Sequence, residues 1–325
     1  MIKNEFKESF LEAIKAKLPP DVLLVSYISK MINVGKEASY RRIRGDVDFT
    51  FSEVMAIVKD LNIPLSQLTD NQFEYIPFVS YLVKNDPEAE YSSNLKRVTD
   101  DFRSLAESGI AKVSFCYDSI PPELMFGYHC VMKMRWAKYI SQYATDGSVK
   151  IDDIELPSCV QSVFKKFDET LEEFDIVLVI GERLFQPTFE EIKYFASLKS
   201  FSKEFLSGLE KEISQFLDEL ESYSLSGRRG RGSRFDMYLY HVYSTGSIVL
   251  AEGADKSIAY MKTFGTNYFS TEDPAICEAQ KDWVQKMKKN STYITQSGEI
   301  IRSNFFRDQR ALLAKCIEDS AAFLD

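Results

Sequence analysis

The sequence is poor in the residues that interrupt helices and in those that build metal or disulfide sites. Its 325 residues include only 14 glycines, 10 prolines and two histidines, and its five cysteines form no C-x-x-C pair. An odd, scattered set of cysteines argues against a disulfide framework. Two isolated histidines do not match the ligand spacing of a structural zinc site. We therefore predict no metal centre, and no motif indicates a cofactor or a catalytic residue.

Long apolar runs are also absent. The densest ones, Val22–Val25 and Ile176–Ile180, are much shorter than the roughly 18 residues that indicate a membrane span. The first 18 residues are amphipathic and charged, without the apolar core of a signal peptide. We expect a cytoplasmic protein with no membrane partner.

The total charge is −9, from 40 Lys and Arg against 49 Asp and Glu. Taken whole, this charge argues against a protein that coats nucleic acid or an anionic membrane. Residues 1–70, however, hold ten basic and ten acidic residues, so the other 255 carry the entire excess. Within the neutral part, residues 30–45 hold five basic residues against Glu37 alone, a local charge of +4.

The apolar spacing of residues 1–70 predicts five short helices. A three-residue turn, Asn33-Val34-Gly35, separates the second helix from the third, which ends at Gly45. Thr50-x-x-Glu53 is a capping-box pattern that opens the fourth helix. Residues 65–68 form a short fifth turn.

The window Leu24–Gly45 resembles the helix-turn-helix of the phage-repressor and Cro class of transcriptional regulators, and the resemblance extends over residues 1–70. It implies a DNA-binding domain of five short helices whose third helix lies in the major groove. Ala38 and Ile43 then face the domain core. The residues expected on the exposed face of the third helix are Lys36, Glu37, Tyr40, Arg41 and Arg44.

These side chains suit contacts with DNA. Arg and Lys can bind guanine O6 and N7 or neutralise phosphates, and Glu can accept a hydrogen bond from the cytosine amino group. The three arginines spread around the helix, so we assign Arg42 to a phosphate. Thr50, at the start of the next helix, is placed to donate its backbone N–H to a phosphate.

The window departs from the family at three positions. Asn33 replaces the common turn glycine, although Asn tolerates the left-handed conformation. Ser29 replaces the usual small residue of the first motif helix and is itself small. Val25 stands where the family often has Gln, which removes one expected phosphate contact.

The remaining chain is predicted as a linker, residues 71–90, and a larger α+β domain, residues 91–325. Helical patterns alternate there with two short apolar strands, Val113–Tyr117 and Ile176–Ile180, and strands predominate after residue 235. The fold class is therefore mainly α with a smaller β component. His129 and His241 have apolar or aromatic neighbours, so we expect both to be packed.

The Gly- and Arg-rich segment Ser226–Arg234 is the one low-complexity stretch. A solvated loop between the helical and strand regions is the favoured interpretation, because Gly and Ser punctuate it. The alternative is a mobile segment that binds phosphate or the DNA backbone through its arginines.

The favoured function is a sequence-specific transcriptional regulator that binds double-stranded DNA as a homodimer. The larger acidic domain would then sense a small-molecule or protein effector, or hold the dimer together. Two alternatives remain open. One is a protein-interaction adaptor, and the other is an enzyme whose site lies in the aromatic strand region, residues 235–263.

Overall fold

The computed structural model describes residues 2–63, 68, 76–82, 86–143, 150–230, 232–241, 247–263 and 267–325. It divides into two compact units, Met1–Pro77 and Phe78–Asp325. The described residues form eleven α-helices and a nine-stranded sheet, so the predicted mixture of helices with a smaller β component is confirmed.

All of the regular secondary structure described in the first unit is helical. Its helices are α1 (Ile2–Lys17), α2 (Leu24–Met31), α3 (Lys36–Arg44) and α4 (Phe51–Asp60). Phe10, Ile14, Ile28 and Ile57 have no exposed surface and form the centre of its core. The fifth predicted element, residues 65–68, lies outside the described residues except for Leu68, whose side chain is buried in the same core. The five-helix arrangement thus stays a prediction.

The helix boundaries of this unit follow from local chemistry. Asn33 has φ 51° in the turn between α2 and α3, as its tolerance for the left-handed region allows. Gly45 ends α3 at φ 89°, and its N–H donates to the Arg41 and Arg42 carbonyls. The capping box at Thr50 and Glu53 is confirmed, since both of its hydrogen bonds are present.

The second unit is built on one mixed sheet. Its strands are β1 (Val79–Tyr81), β2 (Lys112–Tyr117), β3 (Asp175–Gly181), β4 (Arg228–Arg229), β5 (Ser233–Tyr240), β6 (Ile248–Glu252), β7 (Ser257–Lys262), β8 (Tyr268–Thr271) and β9 (Ser291–Tyr293). Their order is β1-β8-β7-β6-β2-β3-β5-β4, and β9 also pairs with β5. The neighbours β2, β3 and β5 are parallel, and all other pairs are antiparallel.

Helices cover both faces of this sheet. They are α5 (Pro87–Glu107), α6 (His129–Ser141), α7 (Ser158–Leu171), α8 (Gln186–Ser197), α9 (Lys203–Ser226), α10 (Pro274–Lys289) and α11 (Glu299–Leu324). Helix α10 packs Val284 and Met287 against one face, where they meet Cys116, Val177 and Val179. Residues of the other six helices join the large core on the opposite face. Burial on both faces explains why β2 and β3 read as continuous apolar runs.

Three short strands of the sheet, β1, β4 and β8, were not expected from the sequence. Strand β1 lies inside the predicted linker, residues 71–90, and pairs with β8 at the edge of the sheet. The linker range also includes the first residues of α5, which begins at Pro87. Strands of two to four residues are too short for an alternation of apolar and polar residues to be recognised in the sequence. Only tertiary pairing identifies them.

Candidate functional site

The pair α2 and α3 forms a tight helix-turn-helix in the first unit. The Ser29 hydroxyl donates to the Val34 carbonyl at 2.6 Å and thereby fixes the turn. Ser39, which has no exposed surface, is the most buried residue of α3, whereas Ala38 and Ile43 are half-buried. The two residues predicted to face the core are therefore less buried than Ser39, although Ile43 does pack against the core. A hydrophobic pattern does not mark Ser39 because its hydroxyl is polar, yet that hydroxyl donates to the Gly35 carbonyl at 3.3 Å.

The outer face of α3 exposes Lys36, Glu37, Tyr40, Arg41 and Arg44. Lys36, Tyr40 and Arg41 make no ion pair or side-chain hydrogen bond within the described residues. Arg44 differs, because its Nη2 lies 3.0 Å from Asp46 Oδ2 and 3.7 Å from Glu37 Oε1. The helix thus presents two unpaired cations and an aromatic side chain to solvent.

Arg42 faces away from this surface. Its Nε and Nη2 donate to the two carboxylate oxygens of Glu53 at 3.1 and 2.8 Å, and each of the two side chains is only 16% exposed. Burial opposes the charge of Glu53, but hydrogen bonds from Arg42 and Thr50 outweigh it and lower the pKa of that carboxyl. The phosphate assigned to Arg42 is replaced by this internal carboxylate, which joins α3 to the start of α4.

Thr50 is also engaged internally. Its backbone N–H donates to Glu53 Oε2 at 2.9 Å, and its hydroxyl accepts from the Glu53 N–H at 3.3 Å. The N–H predicted to meet a phosphate is therefore occupied. Among the described residues, Phe51 and Ser52 follow with backbone N–H groups that have no protein acceptor, as is usual in the first turn of a helix.

The second unit contains a cavity of about 510 Å³ between the sheet and helices α5, α6 and α7. This volume lies within the range of small-molecule sites in proteins. Its walls are largely aromatic, and ten rings line it: Tyr81, Tyr91, Phe102, Phe126, Trp136, Tyr139, Phe164, Phe167, Tyr260 and Tyr268. No pattern in the sequence brings these rings together, because they come from six helices and strands and one loop.

Two helices supply one side of the cavity wall. Tyr91, Leu95 and Val98 lie along one stripe of α5, and Trp136 and Tyr139 lie on the facing stripe of α6. The ring of Tyr91 lies 5.4 Å from that of Trp136 and 4.8 Å from that of Tyr139, measured between centroids. These rings brace one another, so the cavity walls are preformed.

One carboxyl group is enclosed at the polar end of the cavity. Glu123 is 9% exposed, and the hydroxyls of Tyr117 and Tyr268 donate to its Oε1 at 3.3 and 3.4 Å. Burial raises the pKa of Glu123, although the positive charges of Lys262 and Arg135 partly offset the effect. The oxygens of this carboxyl can accept a hydrogen bond from a ligand.

The same end of the cavity holds three cations. Lys138 is paired with Glu191. Arg135 and Lys262 make no ion pair or side-chain hydrogen bond within the described part of the chain. Burial, followed by the charge of Arg135, lowers the pKa of Lys262. Two neighbouring cations therefore face the cavity without a direct ion pair in the described residues, although the carboxyl of Glu123 lies close enough to interact with both.

The two histidines lie on the surface, so the prediction that they are packed is wrong. His129 is exposed at the start of α6. His241 follows β5, where its Nδ1 lies 3.1 Å from Glu182 Oε1 and its Nε2 lies 2.8 Å from Thr292 Oγ1. No pattern in the sequence indicates this hydroxyl partner, because β9 approaches from 51 residues away. The side chains of His241 and Glu182 are 45% and 66% exposed, so this hydrogen-bonded pair lies on the surface.

No protein-family model, curated protein or solved structure matches the chain. No described helix has the length and apolar character required to cross a membrane. Within the same residues, no group of three or more His, Cys, Asp or Glu is arranged to hold a metal ion.

Proposed function

We propose that the chain is a sequence-specific DNA-binding transcriptional regulator. The first unit reads double-stranded DNA through α3, and the second unit senses an effector or holds a homodimer. One observation carries this proposal. Helix α3 follows α2 after four residues, Ile32–Gly35, and exposes Lys36, Tyr40 and Arg41, which have no side-chain partner among the described residues.

Each exposed side chain has a task in this proposal. Arg41 and Lys36 contact guanine edges or phosphates, and Glu37 accepts from a cytosine amino group. Arg44 exchanges its carboxylate partners for phosphate. At the start of α4, the phosphate contact predicted for Thr50 falls to the N–H groups of Phe51 and Ser52, which are favoured by the helix dipole.

The distribution of charge supports the same surface. The acidic excess of the chain lies entirely beyond residue 70, where it repels a polyanion. The local +4 of residues 30–45 is left as the part of the chain that attracts DNA. A homodimer follows from the way helix-turn-helix proteins bind paired half-sites about one helical turn apart.

The proposal is tested by selecting bound sequences from a random DNA pool with the full chain. The affinity for the selected duplex is then measured over a salt series for the wild type, Arg41→Ala and Lys59→Ala. Lys59 is a matched control because it is exposed at the far end of α4. Arg41→Ala should weaken specific binding by about tenfold or more, and Lys59→Ala should leave it unchanged.

Uniformly weak binding by all three proteins, with no selected consensus, would contradict the proposal and favour the adaptor alternative. The enzyme alternative has one structural observation of its own, the chain of hydrogen bonds through Glu182, His241 and Thr292. That chain lies on an open surface rather than in a closed pocket, so the DNA-reading function is the better supported of the two.

A further inference from the structure

The second unit contains a partly open cavity of about 510 Å³ that its own described side chains do not fill. Ten aromatic rings line it, and those of Tyr91, Trp136 and Tyr139 pack against one another, beside flexible polar side chains such as Arg135 and Lys262. A cavity of this kind is suited to a ligand with a hydrophobic body.

The aromatic lining favours a ligand whose hydrophobic part is a ring system. Tyr91, Trp136, Tyr139 and Phe164 place flat faces and edges around the interior. Aromatic rings pack favourably in stacked or edge-to-face contact with such a lining. A long saturated chain would fill the same volume without these contacts.

The cations at the polar end of the cavity favour a ligand whose ring system carries an acidic group. Arg135 and Lys262 face the cavity without a direct ion pair in the described residues, and Lys138 is already neutralised by Glu191. Glu123 is held by two tyrosine hydroxyls instead of by a cation. An anion placed between Arg135 and Lys262 relieves their mutual repulsion, and a donor on the ligand meets Glu123.

We propose that this cavity binds an aromatic ring system that carries an acidic group, with Arg135 and Lys262 holding that group. The inference concerns the second unit alone and stands whether or not the first unit binds DNA. A carboxylate, a sulfonate or a phosphate could each be held by this pair of cations.

The test uses a matched pair of fluorescent probes. 8-Anilinonaphthalene-1-sulfonate has an aromatic body, an N–H donor and a permanent anion, and N-phenyl-1-naphthylamine has the same body without the anion. The chain has two tryptophans, Trp136 in the cavity wall and Trp283 exposed on α10. In a full-length Trp283→Phe background, energy transfer from Trp136 therefore reports binding in the cavity.

We expect one anionic probe per chain, with quenching of Trp136 and an affinity about tenfold or more above that of the neutral probe. Lys262→Met should reduce the affinity for the anionic probe about tenfold and leave the neutral probe within about twofold. Lys286→Met is the control, because Lys286 is exposed on α10, which packs on the opposite face of the sheet. It should change neither affinity.

Equal affinities for the two probes would overturn the proposal, and so would anionic-probe binding without quenching of Trp136. An equal loss of both probes in Lys262→Met would also overturn it, provided that the thermal unfolding midpoint is unchanged. Arg135→Met gives a second measurement, with the neutral probe again serving as the control for an intact cavity.

Discussion

Arg41 and Arg42 are adjacent in the chain, yet they have opposite environments. One residue along an α-helix turns the side chain by about 100°. Arg41 therefore points to solvent, and Arg42 points to the carboxylate of Glu53. This difference leaves Arg41 open to solvent and makes Arg42 part of the contact between α3 and the start of α4.

Replacement of Arg42 by Ala should lower the free energy of unfolding of the first unit by about 2 kcal/mol, because it leaves the mostly buried Glu53 carboxylate without its partner. Arg41→Ala should change it by less than about 0.5 kcal/mol, as is typical of an exposed residue. Urea unfolding of the full chain, followed by circular dichroism, measures both.

The same pair predicts a dependence on pH. The pKa of Glu53 is lowered in the folded state, so its stabilising contribution is complete above the unfolded value of about 4.3 and is lost as the pH falls through the lower folded value. The stability difference between wild type and Arg42→Ala should therefore shrink below about pH 4. A difference that stays constant to pH 3 would show that Arg42 acts only through packing.

At the scale of elements, the Gly- and Arg-rich segment forms a hairpin rather than a solvated loop. Strands β4 and β5 pair across a turn in which Gly230 and Gly232 have φ values of 49° and 108°. Arg229 points inward, is 11% exposed and lies 3.0 Å from Asp168 Oδ1. Alternation along a strand places its neighbour Arg228 outside.

Arg229→Ala should therefore destabilise the second unit by about 1–3 kcal/mol, since it removes a largely buried side chain together with its ion pair to the partly exposed Asp168. Arg228→Ala should have an effect below about 0.5 kcal/mol. Thermal unfolding of the two variants separates this role from the phosphate-binding alternative. In that alternative, both variants would keep the wild-type stability and lose affinity for DNA.

Helices and strands long enough to show a hydrophobic periodicity were predictable from the sequence, and the shortest ones were not. The apolar pattern predicts a helix near residues 274–289, and α10 spans Pro274–Lys289, because one helical face packs on the sheet and Asp273 caps its start. The pattern also predicts a short strand around residues 292–302, where the structure has β9, Ser291–Tyr293, followed by helix α11 from Glu299. A left-handed Gly298, φ 61°, marks that change.

At the scale of the whole molecule, the two units have separate hydrophobic cores. The core around Phe10 and Ile57 contains only residues of the first unit, and the cores around the sheet contain only residues of the second. Each unit therefore has the apolar burial that a domain needs to fold by itself. The charge follows the same division, with the acidic excess in the second unit.

A fragment of residues 1–77 should consequently fold and select the same DNA consensus as the full chain. If the second unit holds the dimer, the fragment should bind more weakly, since two linked half-site contacts are replaced by one. Selection with the fragment and sedimentation of both proteins check this prediction. A folded fragment without any sequence preference, beside a full chain with one, would place the DNA-reading surface elsewhere.

The sequence by itself determined the local features: the turn at Asn33, the left-handed end of α3 at Gly45, the capping box at Thr50 and the apolar strands β2 and β3. These depend on residues a few positions apart, so their physical causes are visible in the chain. The pairing of Arg42 with Glu53, the burial of Ser39, the surface position of His241 and the aromatic cavity were decided by tertiary structure. Each brings together groups from different elements, and a sequence shows what those groups are but not which of them meet.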